Sequence, residues 1–91
     1  MARIRLQSSS PLPPLKAWYL IPSTVTTIRD LKLALCSQLP MFKDMRIQPA
    51  HIMLEIDGFE LLEESHIDLV REGDILSYDF MISTLFKQPD Q

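Results

Sequence analysis

Only one stretch of this chain, "STVTTIRDLKLALCSQLP", carries apolar residues at helical spacing, and that limits what the remainder can become. Ile28, Leu31 and Leu35 recur at i, i+3 and i+7, one stripe of a helix laid against a sheet. Thr26 or Thr27 supplies the N-cap, Asp30 places negative charge in the first turn where the helix dipole favours it, and Pro40 closes the element. Elsewhere the apolar residues alternate, as half-buried strands require. Ile4 and Leu6 share a face in "RIRLQ", Ile52, Leu54 and Ile56 in "HIMLEID", and Leu76, Tyr78 and Phe80 in "DILSYDFM". "AWYLI" is a further strand whose register stays open: Trp18 with Leu20, or Ala17, Tyr19 and Ile21, face inward.

Punctuation between these segments follows turn chemistry. "SSSPLPPLK" is a loop, because its prolines cannot join a ladder. "PMFKDMRIQP" reads as an irregular connection in which His51 then opens a strand, and Asp57-Gly58 is a hairpin turn leading to a short strand "FELL". "EESHIDL" is a compact turn or a single helical turn, and Gly73 supplies the positive φ of a tight reversal in "LVREGDIL", with Leu69 or Val70 closing the core. The order β, β, α, β, short β, β is α+β: a four- to five-stranded mixed sheet with one helix packed on one face. Handedness places the last strand parallel beside the first with the helix covering both, which is the β-grasp arrangement. Residues 1–83 form this single domain and 84–91 a polar tail.

Chemistry is sparse. Glycine occurs only at positions 58 and 73, so no phosphate-cradling loop exists. His51, His66 and Cys36 match no compact metal-ligand spacing, and Cys36 reads as a small packed hydrophobe without a histidine partner. No catalytic residue, metal or cofactor is expected, and the chain is not read as an enzyme. Cys36 is the one cysteine, which favours a reducing compartment, and no apolar run has signal-peptide or bilayer-spanning length. A net charge of −3 and pI of 5.2 argue against direct nucleic-acid binding.

"TIRDLKLAL" and "LEIDGFELLEES" resemble the helix, third strand, glycine turn and fourth strand of ubiquitin-like folds. The basic first strand "RIRLQ", the proline-rich first loop, the tryptophan of strand two and the run "LEIDGFELLEESHIDLVREGDIL" together resemble the N-terminal domain of the coilin family, scaffold proteins of nuclear Cajal bodies. The chain departs from that family at Glu63 and Glu64, where prolines usually follow the leucines, and in "PMFKDMRIQP", so it reads as a divergent member. The resemblance implies a homo-oligomerising module in the nucleus, with other nuclear-body proteins as further partners and no membrane contact.

Charge suggests how such a module associates. Arg3, Arg5 and Lys16 gather near one end, while Glu60, Glu63, Glu64, Asp68, Glu72 and Asp74 follow the glycine turn. A polarised module can join head to tail, because a heterologous contact does not close on itself. Arg3, Arg5, Arg71, Glu72 and Asp74 are the candidate interface, with Arg3 and Asp74 pairing either within one molecule or between two. Glu63 and Glu64 are expected to be solvated surface. Glu55 points away from Leu54 and Ile56 and puts a charge where ubiquitin presents an apolar patch, which disfavours an apolar ubiquitin-binding helix. The alternative class is an adaptor that captures a different protein around Trp18 and Tyr19.

Overall fold

A computed structural model describes residues 2–9 and 15–80. The proline-rich loop at 10–14, and the domain end at 83 with its tail, lie outside the described residues. Five strands form one mixed sheet: β1 (Arg3–Ser8), β2 (Lys16–Leu20), β3 (Ile52–Ile56), β4 (Phe59–Glu60) and β5 (Ile75–Phe80), in the order β2-β1-β5-β3-β4. β1 and β5 run parallel, and the other neighbours are antiparallel. The helix α1 (Ile28–Gln38) covers one face. The α+β, ubiquitin-like β-grasp architecture expected from the alternation is therefore the one adopted.

The core forms where the two periodicities meet. Ile4 and Leu6 from β1, Ile52 and Leu54 from β3, and Leu76, Tyr78 and Phe80 from β5 are buried with Ile28, Leu31 and Leu35 of α1. Ile56 lies at the margin, half-buried. The open register of β2 resolves with Tyr19 and Ile21 inward, and the Tyr19 hydroxyl donates to Gln38 Oε1 at 2.8 Å. Trp18 points out, 65% exposed. At the last turn Val70 closes the core and Leu69 faces solvent.

The start of α1 is tied down on every donor. Thr27 is the N-cap: its Oγ1 accepts from Asp30 N at 3.2 Å, and Asp30 Oδ2 reaches back to the backbone N–H groups of Thr26 and Thr27. Two further helix donors, Ile28 N and Arg29 N, are taken by the carbonyls of Ser65 and Glu63, each at 3.0 Å. This stitches the 61–66 connection to the helix, and Thr27 bridges to His66.

Four expectations need correction. "PMFKDMRIQP" is not irregular: a short helix α2 (Pro40–Asp44) begins at Pro40, whose fixed φ and missing N–H suit a first helical position, so this proline opens a helix as well as ending one. It inserts Phe42 fully into the core, edge-on to Tyr78 and Phe80 with ring centroids 5.2 and 5.3 Å away. His51 ends a 3₁₀ turn (Pro49–His51) before β3, its Nδ1 accepting from Gln48 N. Of "FELL", Phe59 and Glu60 alone pair as a strand; Leu61 turns inward to the core. Finally, Glu63 is not merely solvated. Its carboxylate lies 3.4 Å from Lys32 Nζ and 3.5 Å from Arg29 Nε.

Lys32 is the unexpected member of the helix's inner stripe, with only 2% of its side chain exposed. A buried ammonium requires a partner, and Glu63 is the one at hand. Removing Glu63 and removing the ammonium should therefore differ. Glu63→Ala is expected to destabilise by roughly 1–3 kcal/mol, leaving a buried donor unpaired, whereas Lys32→Met should stay within about 1 kcal/mol. Urea unfolding of both variants measures this; equal losses would show that the ion pair is not what holds this connection.

Candidate functional site

Because α1 occupies one face of the sheet, the other face lies open, and the strand register decides which side chains meet there. On β1 these are Arg3, Arg5 and Gln7; on β2, Lys16, Trp18 and Leu20; on β5, Ile75, Ser77 and Asp79; on β3, Met53 and Glu55; on β4, Glu60. Lys16, Gln7, Ser77, Glu55 and Glu60 fall in one transverse row. Four interstrand spacings separate its ends, about 19 Å. The row starts with a cation and finishes with two carboxylates. A second row runs Trp18, Arg5, Ile75, and a third pairs Leu20 with Arg3.

The parallel β1–β5 pairing brings the turn Arg71–Asp74 against the start of β1. Asp74 N donates to the Arg71 carbonyl at 3.0 Å, and Gly73 has φ +84°, the left-handed value the third residue of such a turn takes. Gly73 N donates to Arg3 O, and Arg5 N to Asp74 O, continuing the ladder. Side chains lock the junction. Glu72 accepts from Arg3 twice, from backbone N at 2.9 Å and from Nε at 3.0 Å. Arg5 Nε and Nη2 donate to the Gly73 carbonyl at 3.1 and 2.9 Å. The Asp74 carboxylate accepts from Arg71 N at 2.8 Å.

These contacts answer how the candidate charges are arranged within the molecule. Arg3 pairs with Glu72 rather than with Asp74, whose carboxylate is occupied by the turn's own backbone. Four of the five candidates thus hold the turn on the sheet. The Arg71 guanidinium makes no hydrogen bond or ion pair among the described residues. The acidic sequence cluster is also dispersed in space: Glu72 lies at the basic edge beside Arg3, Glu63 lies against α1, and Asp68 contacts His66. Polarity survives, but its acidic side is built by Glu55 and Glu60, of which Glu55 had been read only as a charge that deters apolar partners.

One feature of this face and one at the far edge of the sheet escaped the sequence reading. Arg5 Cζ lies 5.7 Å from the Trp18 ring centroid, so the guanidinium is pinned by Gly73 on one side and stacked near an exposed indole on the other. Beside them, Trp18, Arg5, Gln7, Lys16 and Ile75 line a groove of about 300 Å³. At the opposite edge, Asp57 and Gly58, with φ +55° and +85°, form the tight turn, so that Phe59 sits beside the hairpin tip, 77% exposed. Only the settled register of β2 reveals the first feature. The length of β4 reveals the second.

Among the described residues no three His, Cys, Asp or Glu side chains group as metal ligands, and burial pushes the Cys36 thiol up, away from its reactive thiolate. No helix among the described residues is long and apolar enough to cross a membrane.

No protein-family model matches the chain, and no curated protein matches it. Among solved structures, it is similar to a chain in the crystal structure of ATBAG1 in complex with HSP70, with a TM-score of 0.64 and 15% identity over 88% of this chain. The match spans 40% of that chain, well under half its length. At this identity the likeness shows the fold alone, the ubiquitin-like β-grasp, and folds of this kind do not dictate function.

Hydrogen bonds from Arg3 hold the Glu72 carboxyl below its ordinary value, and those from Thr26 and then Thr27 do the same for Asp30. A carboxyl whose folded pKa is depressed adds stability above its unfolded pKa, and that stability is lost as pH falls through the folded one. The loss should therefore begin near the ordinary Glu and Asp values of about 4.3 and 3.9 and continue downward. Carboxyl-carbon NMR titration is expected to show both groups titrating below those values. Ordinary midpoints would mean that the Arg3–Glu72 clasp and the capping box are open in solution.

Proposed function

We propose that this chain is a non-catalytic self-association module, the ubiquitin-like domain of a coilin-like nuclear-body scaffold. The observation that carries the reading is the open sheet face, with Lys16 and Arg5 toward one edge and Glu55 and Glu60 toward the other. Glu55 and Glu60 stand directly opposite one another on adjacent strands, where like charges are destabilising. A domain that keeps such a pair gains when a cation from outside settles between them, and the same molecule carries cations at its far edge. The two patches are unlike and lie at opposite ends of one surface, so their contact is heterologous and propagates. That is the behaviour a scaffold requires. The coilin-like motifs support the nuclear-body setting, where other body proteins are further partners.

Exposed Trp18 favours a second reading, an adaptor whose groove captures a different protein. The two part on one property. A self-associating module increases in mass with its own concentration, and an adaptor stays monomeric. Sedimentation velocity of the purified domain over a micromolar-to-millimolar series is expected to show rising mass at low salt that falls as ionic strength rises. A monomer at every concentration and salt would remove self-association and leave the adaptor.

A further inference from the structure

Backbone parity is matched at the two edges of the sheet. In the β1–β2 ladder Ser8 N donates to Leu15 O and Ile21 N to Ala2 O, so with the register between them Ala17 and Tyr19 bond β1. Lys16, Trp18 and Leu20 therefore turn their N–H and C=O groups to the outer edge, where no strand lies among the described residues. At the other edge Leu61 N donates to Leu54 O, so Glu60, one residue earlier, directs its backbone groups away from β3. On both edges the residues with outward backbone groups are those whose side chains stand on the open face. We propose that β4 of one copy pairs antiparallel with β2 of the next, Glu60 opposite Lys16, so that the sheet runs on from copy to copy. This rests on the self-association reading and names its contact.

Three observations select a second copy as the occupant. The first is direction. β1, β5 and β4 point one way, β2 and β3 the other. Copies set side by side in one orientation thus bring β4 against an oppositely directed β2, and their open faces continue as one surface. The second is charge. The transverse row from Lys16 to Glu60 then repeats across the junction, and Glu60, which faces the like-charged Glu55 on one side, gains Lys16 on the other. Neither edge joined to its own kind does this: β4 against β4 adds carboxylate to carboxylate, and β2 against β2 leaves the acidic edge unmet. The third is the apolar side. Phe59 shares the helix side of the sheet with Ile56 and is 77% exposed. In this register it stands opposite Ala17, half-buried on that same side, whose small side chain leaves room for the ring.

The short β4 sets the strength of the contact. It spans only Phe59 and Glu60, so few backbone hydrogen bonds form across the junction and association depends on the matched charges. Salt that screens Glu60 from Lys16 separates the copies. Since the two edges differ, a joined pair still presents one unused β2 and one unused β4. Chains of copies follow.

The test reads charge and backbone separately. Lys16→Glu and Glu60→Lys alter exposed positions, so both should unfold cooperatively with near wild-type midpoints. In sedimentation velocity each alone is expected to associate roughly tenfold or more weakly than the wild type, because like charges then meet across the junction. Both substitutions in one chain exchange the charges and should recover association; a double variant as weak as the single ones would overturn the Glu60–Lys16 register. Amide hydrogen exchange of the wild type, dilute against concentrated, reads the backbone. The Lys16 and Glu60 amides are expected to slow on association, while those of Ala17 and Tyr19 are protected at both concentrations. If copies associate and the Lys16 and Glu60 amides exchange as fast as before, edge pairing is wrong while self-association stands. Protection of Lys16, Trp18 and Leu20 without Glu60 would overturn it in favour of β2 pairing with β2. A wild type that is itself monomeric throughout would overturn the underlying reading instead.

Discussion

The parallel pairing of β1 with β5 is the constraint on which the rest of the molecule depends. These strands lie at the two ends of the described chain, and Arg5, Leu6, Gln7 and Ser8 are matched to Ile75, Leu76, Ser77 and Tyr78. One residue of slip would turn Leu6 or Leu76 out of the core and bury a polar neighbour. The same register places Arg3 beside Glu72 and Arg5 beside the Gly73 carbonyl, so the side chains of the turn reinforce the ladder they extend. It also decides that Trp18, Arg5 and Ile75 lie abreast on the open face. Core packing and surface chemistry are thus two consequences of one alignment.

A second junction keeps the far side of the sheet in place. Carbonyls of Glu63 and Ser65 satisfy the first donors of α1, Ile67 N donates to the Thr26 carbonyl, and Lys32 reaches Glu63. The connection between β4 and β5 therefore behaves as part of the helix's N-terminal cap rather than as a free loop. With that stretch anchored, the short β3–β4 hairpin can extend beyond the core without loosening it, which lets Phe59 stand exposed at a defined position.

The alternating strands and the helix α1 were legible in the sequence because periods of 2 and 3.6 differ sharply over five or more residues, and the parallel β1–β5 neighbours because crossover handedness leaves few arrangements. The Asp57-Gly58 and Gly73 reversals were legible because both need positive φ. α2 was not: five residues are too few for a period, and its stability comes from Phe42 against Tyr78 and Phe80, contacts with residues far along the chain. Lys32 was missed for a related reason, since the helical pattern marks its position but only tertiary contact with Glu63 allows a charge there. At the candidate site, composition singled out Arg3, Arg5 and Lys16 but grouped acidic residues by sequence proximity. Strand pairing regroups them, drawing Glu72 and Asp74 into the turn and leaving Glu55 and Glu60 to face outward.

Backbone NMR of the isotopically labelled domain, recorded as it is concentrated, tests the central claim most directly, because it reports where copies touch as well as whether they do. The account predicts two separate groups of shifting amides, one around Arg5 and Lys16–Leu20 and the other around Glu55–Leu62, moving together at the same concentration. Shifts confined to a single patch would indicate a self-complementary, closed contact and contradict the head-to-tail account, as would spectra that do not change with concentration.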